Sequence, residues 1–547
     1  MSISPYPWES RYPAGVSWRG PVTTATLPEV LDRTASAHPR QIAIEFLGLE
    51  VPYSELARRS KLFAAALLRL GIGRGSVVAL YLPNTPYHPL AFFGALRAGC
   101  RVVHLTPLDA HRELAHKLKD TNARVLVTLN TPAMMQGARR LVDEGLVDRV
   151  FAGDEARWIG NGDIGAAVND PPFVALSELF DSGSLPHSLP SISSEDVALL
   201  QFTGGTTGTP KGAMLTHANL TSAASSFCLW LNAQPFASPG QDRHLGVLPL
   251  FHIYALVGVL IRTMMMGETI ILRPRFEVAQ ALKDIERHRV TWFLAVPTML
   301  IALAESPLLK QHNVSSLRFC MSGGAPLPNE VAHKFETLTG NRVTIGWGMT
   351  ETCGLGTLTN TPSTSRQGSC IGQPAPGIVV EVVANDAPTV LLAPGEIGEL
   401  RIRGANVTSG YHGRPSETAA AFVDGSLLTG DLGYMDDAGC FYLVDRKRDL
   451  IISGGYNVYP RAIEAAIYEH PSVEEVLVVG VPDDYRGESA KAFIKLRAGH
   501  PQFTLEELRA FLADRLGRHE LPAALEFRDA LPRTAVGKLS KKDLVAR

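Results

Sequence analysis

The chain has 547 residues, 45% hydrophobic and 19% charged, a globular composition with room for three or four folding units at roughly 150 residues each. Lys and Arg number 52 against 54 Asp and Glu, a formal charge of −2, which argues against a general nucleic-acid binder or a polybasic membrane protein. The most apolar stretch, 245–261, contains Pro249 and His252 and stops at Arg262, short of the roughly 20 apolar residues a membrane span needs.

The opening residues carry no basic or apolar secretory pattern, so no signal peptide is expected. Helical spacing of Leu56, Phe63, Leu67 and Leu70 predicts a helix ended by Gly71. VVALYL (77–82) and RVVHL (101–105) read as strands, with a helix around Phe92, Phe93 and Leu96 between them. Residues 152–195, rich in Gly, Asp, Ser and Pro, read as loop. Strand patterns resume at 196–202, 269–272, 291–296 and 317–323. From about 370 to 445 short alternating strands predict a small β-rich subdomain, with a hairpin turn at DDAG (436–439). After the charged cluster 445–449 a compact α+β segment follows: a helix near 460–469, strands at 476–481 and 490–496, and a helix capped by Thr504 with Glu507. Ser540 and Asp543 suggest a short terminal helix.

The expected fold class is therefore α/β. A large N-terminal domain, 1–446, combines two mainly parallel sheets, their helices and the β-rich subdomain; a small α+β C-terminal domain spans 447–547. The six cysteines (100, 228, 320, 353, 370 and 440) lie far apart without a C-x-x-C pair. Buried, reduced side chains are expected, not a disulfide framework or a zinc site.

Four segments carry chemistry. TGGTTGTPKG (203–212) follows a strand; its glycines let backbone approach an anion, its hydroxyls can bond phosphate oxygens, and Lys211 adds a cation. It does not align with a Walker A loop, and a plain Gly/Thr connector would share much of its composition. GWGMTET (346–352) offers an aromatic between glycines and a hard oxygen ligand, Glu351, although Thr and Glu are also common at a helix start. In 429–460, Asp431 between glycines suits vicinal sugar hydroxyls and Arg446 offers a planar fork, although a β-meander with hairpin turns would read the same way. PRTAVGKLSKKDL (532–544) places Lys538 in a loop, which in isolation would be ordinary solvated surface.

In order and spacing, the four together resemble the acyl-adenylate-forming superfamily of acyl-CoA synthetases, peptide-synthetase adenylation domains and luciferase-like enzymes, over about residues 25–544. The resemblance implies that Thr203, Thr206, Thr207, Gly208 and Lys211 hold the β- and γ-phosphates. It places Gly324 and Ala325, in SGGAPL (322–327), near adenine, with Gly346 beside Trp347, which stacks on the base. Thr350 then meets the α-phosphate, Glu351 binds Mg2+, Asp431 holds the ribose and Arg446 contacts the nucleotide. Lys538 bridges the acyl carboxylate and α-phosphate. Rotation of a mobile C-terminal domain about Arg448, where Asp or Lys is usual, then brings Gly454 and Gly455 to the thiol of coenzyme A.

The resemblance further implies an ATP-dependent acid:CoA ligase using Mg2+, ATP and coenzyme A on a small-molecule carboxylic acid. PLFHIYAL (249–256) resembles an acyl-pocket segment, with His252 at the junction of pocket and thiol tunnel and Tyr254, Leu256 and Val257 lining it. The opening residues and the TGGTTG loop look most like bacterial long-chain fatty acyl-CoA synthetases, favouring a medium- to long-chain fatty acid. Aryl or dicarboxylic acids, or delivery of acyl-AMP to a carrier protein, are the alternatives. The expected location is the cytoplasm, compatible with peripheral membrane contact, as a monomer or a homodimer and without nucleic acid.

Overall fold

The computed structural model describes residues 6–154, 170–181, 188–203, 210–325, 327–360, 370–454, 456–483, 485–533, 539–541 and 544. Among these, the strands form three sheets. The first is seven-stranded, in the order Phe173–Ala175, Arg149–Gly153, Val125–Leu129, Val77–Tyr81, Arg101–Leu105, Val197–Phe202 and Gly212–Thr216. All its neighbours run parallel except the last pair. Val77–Tyr81 and Val125–Leu129 are buried at every residue, as parallel strands covered on both faces require.

Crossover helices supply that cover. Tyr53–Arg69 stops before Gly71, and Tyr87–Arg97 before Gly99, where the apolar spacing places their ends. Arg97 ties three helices: it forks onto Asp32 of Leu27–Ala37 at 2.7 and 2.8 Å and donates to Ser60 of Tyr53–Arg69 at 2.9 Å. Asp32 is held below the usual carboxylate range: Arg97 and Lys61 outweigh the opposing effect of burial.

The second sheet, of 14 strands, has two characters. Ile42–Phe46, Thr269–Leu272, Arg243–Gly246, Trp292–Ala295, Phe319–Ser322 and Val343–Trp347 run parallel. The short strand Thr357–Leu358 then reverses direction against Val343–Trp347. Cys370–Pro374, Phe441–Arg446, Ser426–Met435, Gly398–Arg403 and Val379–Val383 follow, all antiparallel. The β-rich segment read between 370 and 445 is thus present but continues the large sheet. The DDAG turn closes as expected, with the Gly439 amide donating to the Asp436 carbonyl at 3.0 Å.

A third sheet joins Tyr456–Val458, Ile451–Ser453, Gly487–Leu496, Val473–Asp483 and Ala524–Phe527. Helices Pro460–Tyr468 and Leu505–Leu512 cover it, around a core of its own that includes Ile451, Ile463, Val478, Ile494 and Leu508. The Thr504 hydroxyl accepts from the Glu507 amide at 3.2 Å, as the capping pattern requires.

Two expectations differ in outcome. Within 152–195, Phe173–Ala175 adds a parallel strand beside Arg149–Gly153 and leads into helix Leu176–Asp181; the surrounding turn-forming residues obscured this short apolar pair of elements. The terminal helix rests on Asp543, which lies outside the described residues. Among the described residues no helix is long and apolar enough to cross a membrane.

Candidate functional site

Thr203, Gly324 and Glu351 each follow the end of a parallel strand of the two large sheets, the edge at which open α/β sheets bind ligands. Strand Val197–Phe202 leads to Thr203, whose amide donates to the Lys211 carbonyl at 2.9 Å. Gly212 then pairs antiparallel with Phe202, so the strands on either side of the segment are neighbours in the sheet. Thr206, Thr207 and Gly208 lie outside the described residues. Lys211 Nζ sits 5.2 Å from the centroid of the Tyr411 ring, a cation–π approach.

Tyr411 links that lysine to the next motif. Its hydroxyl donates to Glu351 Oε1 at 2.9 Å. Glu351 is 6% exposed and occupies a single 3-10 turn, Thr350–Thr352, after strand Val343–Trp347. Gly348 makes the turn possible, because a Cβ there would stand 2.4 Å from the Gly354 backbone. Burial raises the Glu351 pKa, while its backbone hydrogen bond, the Tyr411 hydroxyl and Arg446 partly oppose the rise. Holding a hard cation requires the ionised form, which the Tyr411 hydroxyl and Arg446 favour against burial; Mg2+ is commonly held by one or two carboxylates plus substrate phosphates. Among the described residues no group of three or more His, Cys, Asp or Glu could hold a metal by itself.

The third element faces Trp347. Asp431, 2% exposed on Ser426–Met435, stands opposite Arg446 of Phe441–Arg446 in the register. Arg446 Nε approaches Asp431 Oδ1 at 2.8 Å, and Trp347 Nε1 donates to Asp431 Oδ2 at 2.9 Å. Oδ2 is thereby held by a hydrogen bond, while Oδ1 has the ion pair but no hydrogen-bond partner among the described residues. The indole packs on Gly356, where a Cβ would lie 2.5 Å from its Cζ3. Lys211, Tyr411 and Glu351 thus form one contact group and Trp347, Asp431 and Arg446 a second, and the charges of Arg446 and Asp431 act on Glu351.

The adenine-turn candidates Gly324 and Ala325 follow strand Phe319–Ser322; Gly324 is exposed and Ala325 half-buried. Tyr254 lies beneath this turn: a Cβ on Gly323 would stand 3.0 Å from its Cζ, and its buried hydroxyl has no hydrogen-bond partner among the described residues. His252 caps the helical turn Ile253–Ala255, with Nδ1 accepting from the Tyr254 amide at 3.5 Å. Leu256 and Val257 lie fully buried in the π-helical segment Leu256–Ile261. Such segments recur at functional sites.

Two side chains that sequence reasoning missed brace this loop. Asn84 donates to the Leu248 carbonyl at 2.9 Å and accepts from the Leu250 amide at 2.8 Å. Gln201 Nε2 donates to the Phe251 carbonyl at 3.1 Å, while its Oε1 meets His104 Nδ1 at 3.0 Å. Tyr411 was missed as well, although its setting in SGYHG (409–413), an aromatic between glycines, repeats the signal that marked Trp347.

Past Arg446, Arg448 pairs with its neighbour Asp449 at 3.3 Å, and burial depresses its pKa. Gly454 turns between Ile451–Ser453 and Tyr456–Val458 with φ +58°, and its amide donates to the Arg486 carbonyl at 2.7 Å. Gly455 and Lys538 lie outside the described residues.

Residues 31–412 match the family described as AMP-binding enzyme, and residues 462–538 its C-terminal domain. A long-chain-fatty-acid–CoA ligase of Bacillus subtilis (strain 168) is 36% identical over 98% of this chain and 97% of its own. A feruloyl-CoA synthase of Amycolatopsis sp is 36% identical over 94% and 97%. The fold matches that of o-succinylbenzoate coenzyme A synthetase from Bacillus subtilis, in complex with ATP and magnesium ion, with a TM-score of 0.79 and 30% identity, covering 94% of this chain and 98% of that one.

Proposed function

The chain belongs to the AMP-binding enzyme family, and from that premise we propose that it is an ATP-dependent acid:CoA ligase acting on medium- to long-chain fatty acids. The carboxylate attacks the α-phosphorus of ATP, giving acyl-adenylate and pyrophosphate. The coenzyme A thiol then attacks the anhydride carbonyl and AMP leaves. The observation that carries this reading is two contact groups, Lys211–Tyr411–Glu351 and Trp347–Asp431–Arg446, coupled by the charges of Arg446 and Asp431 acting on Glu351. It sets a cation, a cation ligand and an oriented sugar-binding carboxylate along one edge.

Each residue then has a task. Asp431, aimed by Trp347 and Arg446, accepts from the ribose hydroxyls, and Trp347 with Gly346, Gly324 and Ala325 frames the base. Thr203, Thr206, Thr207, Gly208 and Lys211 bind the phosphates, with Thr350 at the α-phosphate. Glu351, held by Tyr411, is the residue that would hold Mg2+. When bound, Mg2+ supplies positive charge to the phosphates as an anion attacks an anion. Lys538 neutralises the acyl carboxylate and α-phosphate in the same transition state.

We divide the chain at 446/447, with Arg448 as the hinge about which Lys538 is exchanged for Gly454 and Gly455 before the thiol attacks. His252 stands between the acyl pocket and the thiol path; Tyr254, Leu256 and Val257 form the pocket's apolar side. We place the protein in the cytoplasm. A second reading, an aryl-acid ligase, is favoured by the feruloyl-CoA synthase at 36% identity.

The test is a mass-spectrometric assay with ATP and Mg2+, with and without coenzyme A, over acids from acetate to C18 chains, benzoates, cinnamates and dicarboxylates. Acyl-CoA and AMP from aliphatic acids, only when coenzyme A is present, is the expected result. Turnover confined to cinnamates would select the second reading. Acyl-AMP accumulating beside unused coenzyme A would overturn the ligase and point to a carrier protein.

A further inference from the structure

Four of the six cysteines (100, 228, 320 and 353) are buried, and burial pushes their thiol pKa values up. Cys370 and Cys440 are only partly buried, and their sulfurs stand 3.2 Å apart. The sheet creates this pair. Cys370 opens strand Cys370–Pro374 opposite Tyr442 of Phe441–Arg446, and Cys440, two residues before Tyr442, is its diagonal neighbour. Asp436 fixes Cys440 from the turn: its Oδ1 accepts from the Cys440 amide at 2.8 Å, and its amide donates to the Cys440 carbonyl at 2.9 Å. The Tyr442 hydroxyl donates to the other oxygen of Asp436 at 3.1 Å.

The two thiols are unequal. A hydrogen bond from Cys440 holds the Cys370 thiol below its ordinary pKa, with the Gly372 amide and Tyr442 adding to the effect against burial and Asp436. The Cys440 thiol is pushed up, first by that same bond and then by burial. Cys370 is thus the more nucleophilic sulfur, with its partner already in place. Closing from 3.2 Å to a disulfide of about 2.05 Å is a short side-chain movement.

We propose that Cys370 and Cys440 form a reversible disulfide in the folded protein, with a peroxide as oxidant. The Cys370 sulfur attacks one peroxide oxygen, the O–O bond breaks and one water leaves, giving a sulfenic acid. The Cys440 sulfur then attacks the Cys370 sulfur, the S–O bond breaks, and the departing hydroxide takes the Cys440 proton as a second water. Two thiols and one hydrogen peroxide become one disulfide and two waters; a dithiol reductant reverses it. The bond staples Cys370–Pro374 to the turn of the hairpin carrying Asp431 and Arg446.

The experiment treats the native full chain with hydrogen peroxide, alkylates residual thiols and maps peptides by mass spectrometry. The expected product is a 370–440 cross-linked peptide lighter by two hydrogens, absent after dithiothreitol, with the four buried cysteines unpaired. Cys440→Ser should instead leave a sulfenic acid on Cys370 that dimedone traps. Both thiols staying alkylatable in peroxide-treated native protein would overturn the proposal. So would equal cross-link yield from chain first unfolded in urea, since the fold is what makes the pair. The readout is mass and not turnover, so the result stands apart from the ligase reading.

Discussion

Tyr411→Phe isolates one hydrogen bond at the centre of the site. The hydroxyl donates to Glu351 Oε1 at 2.9 Å, and Glu351 is 6% exposed, so little water is at hand to replace the donor. A hydrogen bond to a charged group contributes about 1.5–3 kcal/mol. At about 1.36 kcal/mol per tenfold, the variant should lose about 10- to 150-fold in kcat/KM for ATP in adenylate formation. The phenyl ring remains beneath Lys211, so the cation–π contact is kept. The substitution also predicts a pH effect. Burial already raises the Glu351 pKa and the Tyr411 hydroxyl opposes it, so removing the hydroxyl raises it further. Glu351 must be ionised to ligate a cation, and the acid limb of the pH–rate profile should therefore move to higher pH. The assay is ATP–pyrophosphate exchange at several pH values, with Mg2+ titrated at each. Wild-type Mg2+ dependence together with an unmoved acid limb would refute the role given to Tyr411.

Trp347→Phe removes the indole donor to Asp431 while keeping an aromatic ring, and should raise KM for ATP about tenfold or more by the same hydrogen-bond scale. An unchanged KM would mean that Arg446 alone aims the carboxylate. Lys538→Ala should abolish adenylate formation, whereas Gly455→Leu should spare adenylation and block thioester formation; equal loss of both steps in Gly455→Leu would sink the domain-rotation account. Stability should fall on mild acidification: burial lowers the pKa of His104 and of His217 to about 4, so the unfolded chain takes up protons below about pH 6.5 that the native state refuses. The loss is about 2 kcal/mol per histidine at pH 5 and levels off near pH 4, and thermal midpoints against pH should show it. His104→Gln should flatten that slope; an unaltered slope would show that His104 does not carry it.

The parts of this protein legible in sequence were those set by local chemistry. Continuous apolar runs mark strands buried on both faces, as in Val77–Tyr81 and Val125–Leu129, and helical spacing with Gly71 marks the end of Tyr53–Arg69. The tight turn at Gly348 was equally readable, because a backbone approach that leaves no room for a Cβ must write that need into the residue itself. Phe173–Ala175 escaped because three strand residues are too few to set a period against the turn-forming residues around them.

Pairings between distant segments had no such signature. Tyr411 meets Glu351 across 60 residues, Trp347 meets Asp431 across 84, and Cys370 meets Cys440 across 70. Asn84 braces Leu250 from 166 residues away. The Trp347–Asp431 pair depends on strand order and register, where a one-residue slip sends a side chain to the opposite face of its sheet; the others depend on how turns and loops pack between those strands. By itself, the amino-acid sequence determined most of the elements and the family, since those rest on residue type and short-range spacing. Tertiary structure alone decided that Tyr411 aims Glu351, that Trp347 and Arg446 share Asp431, and that two cysteines read as unrelated stand within one hydrogen bond of each other, because only the folded arrangement of strands, turns and loops brings segments so far apart in sequence together.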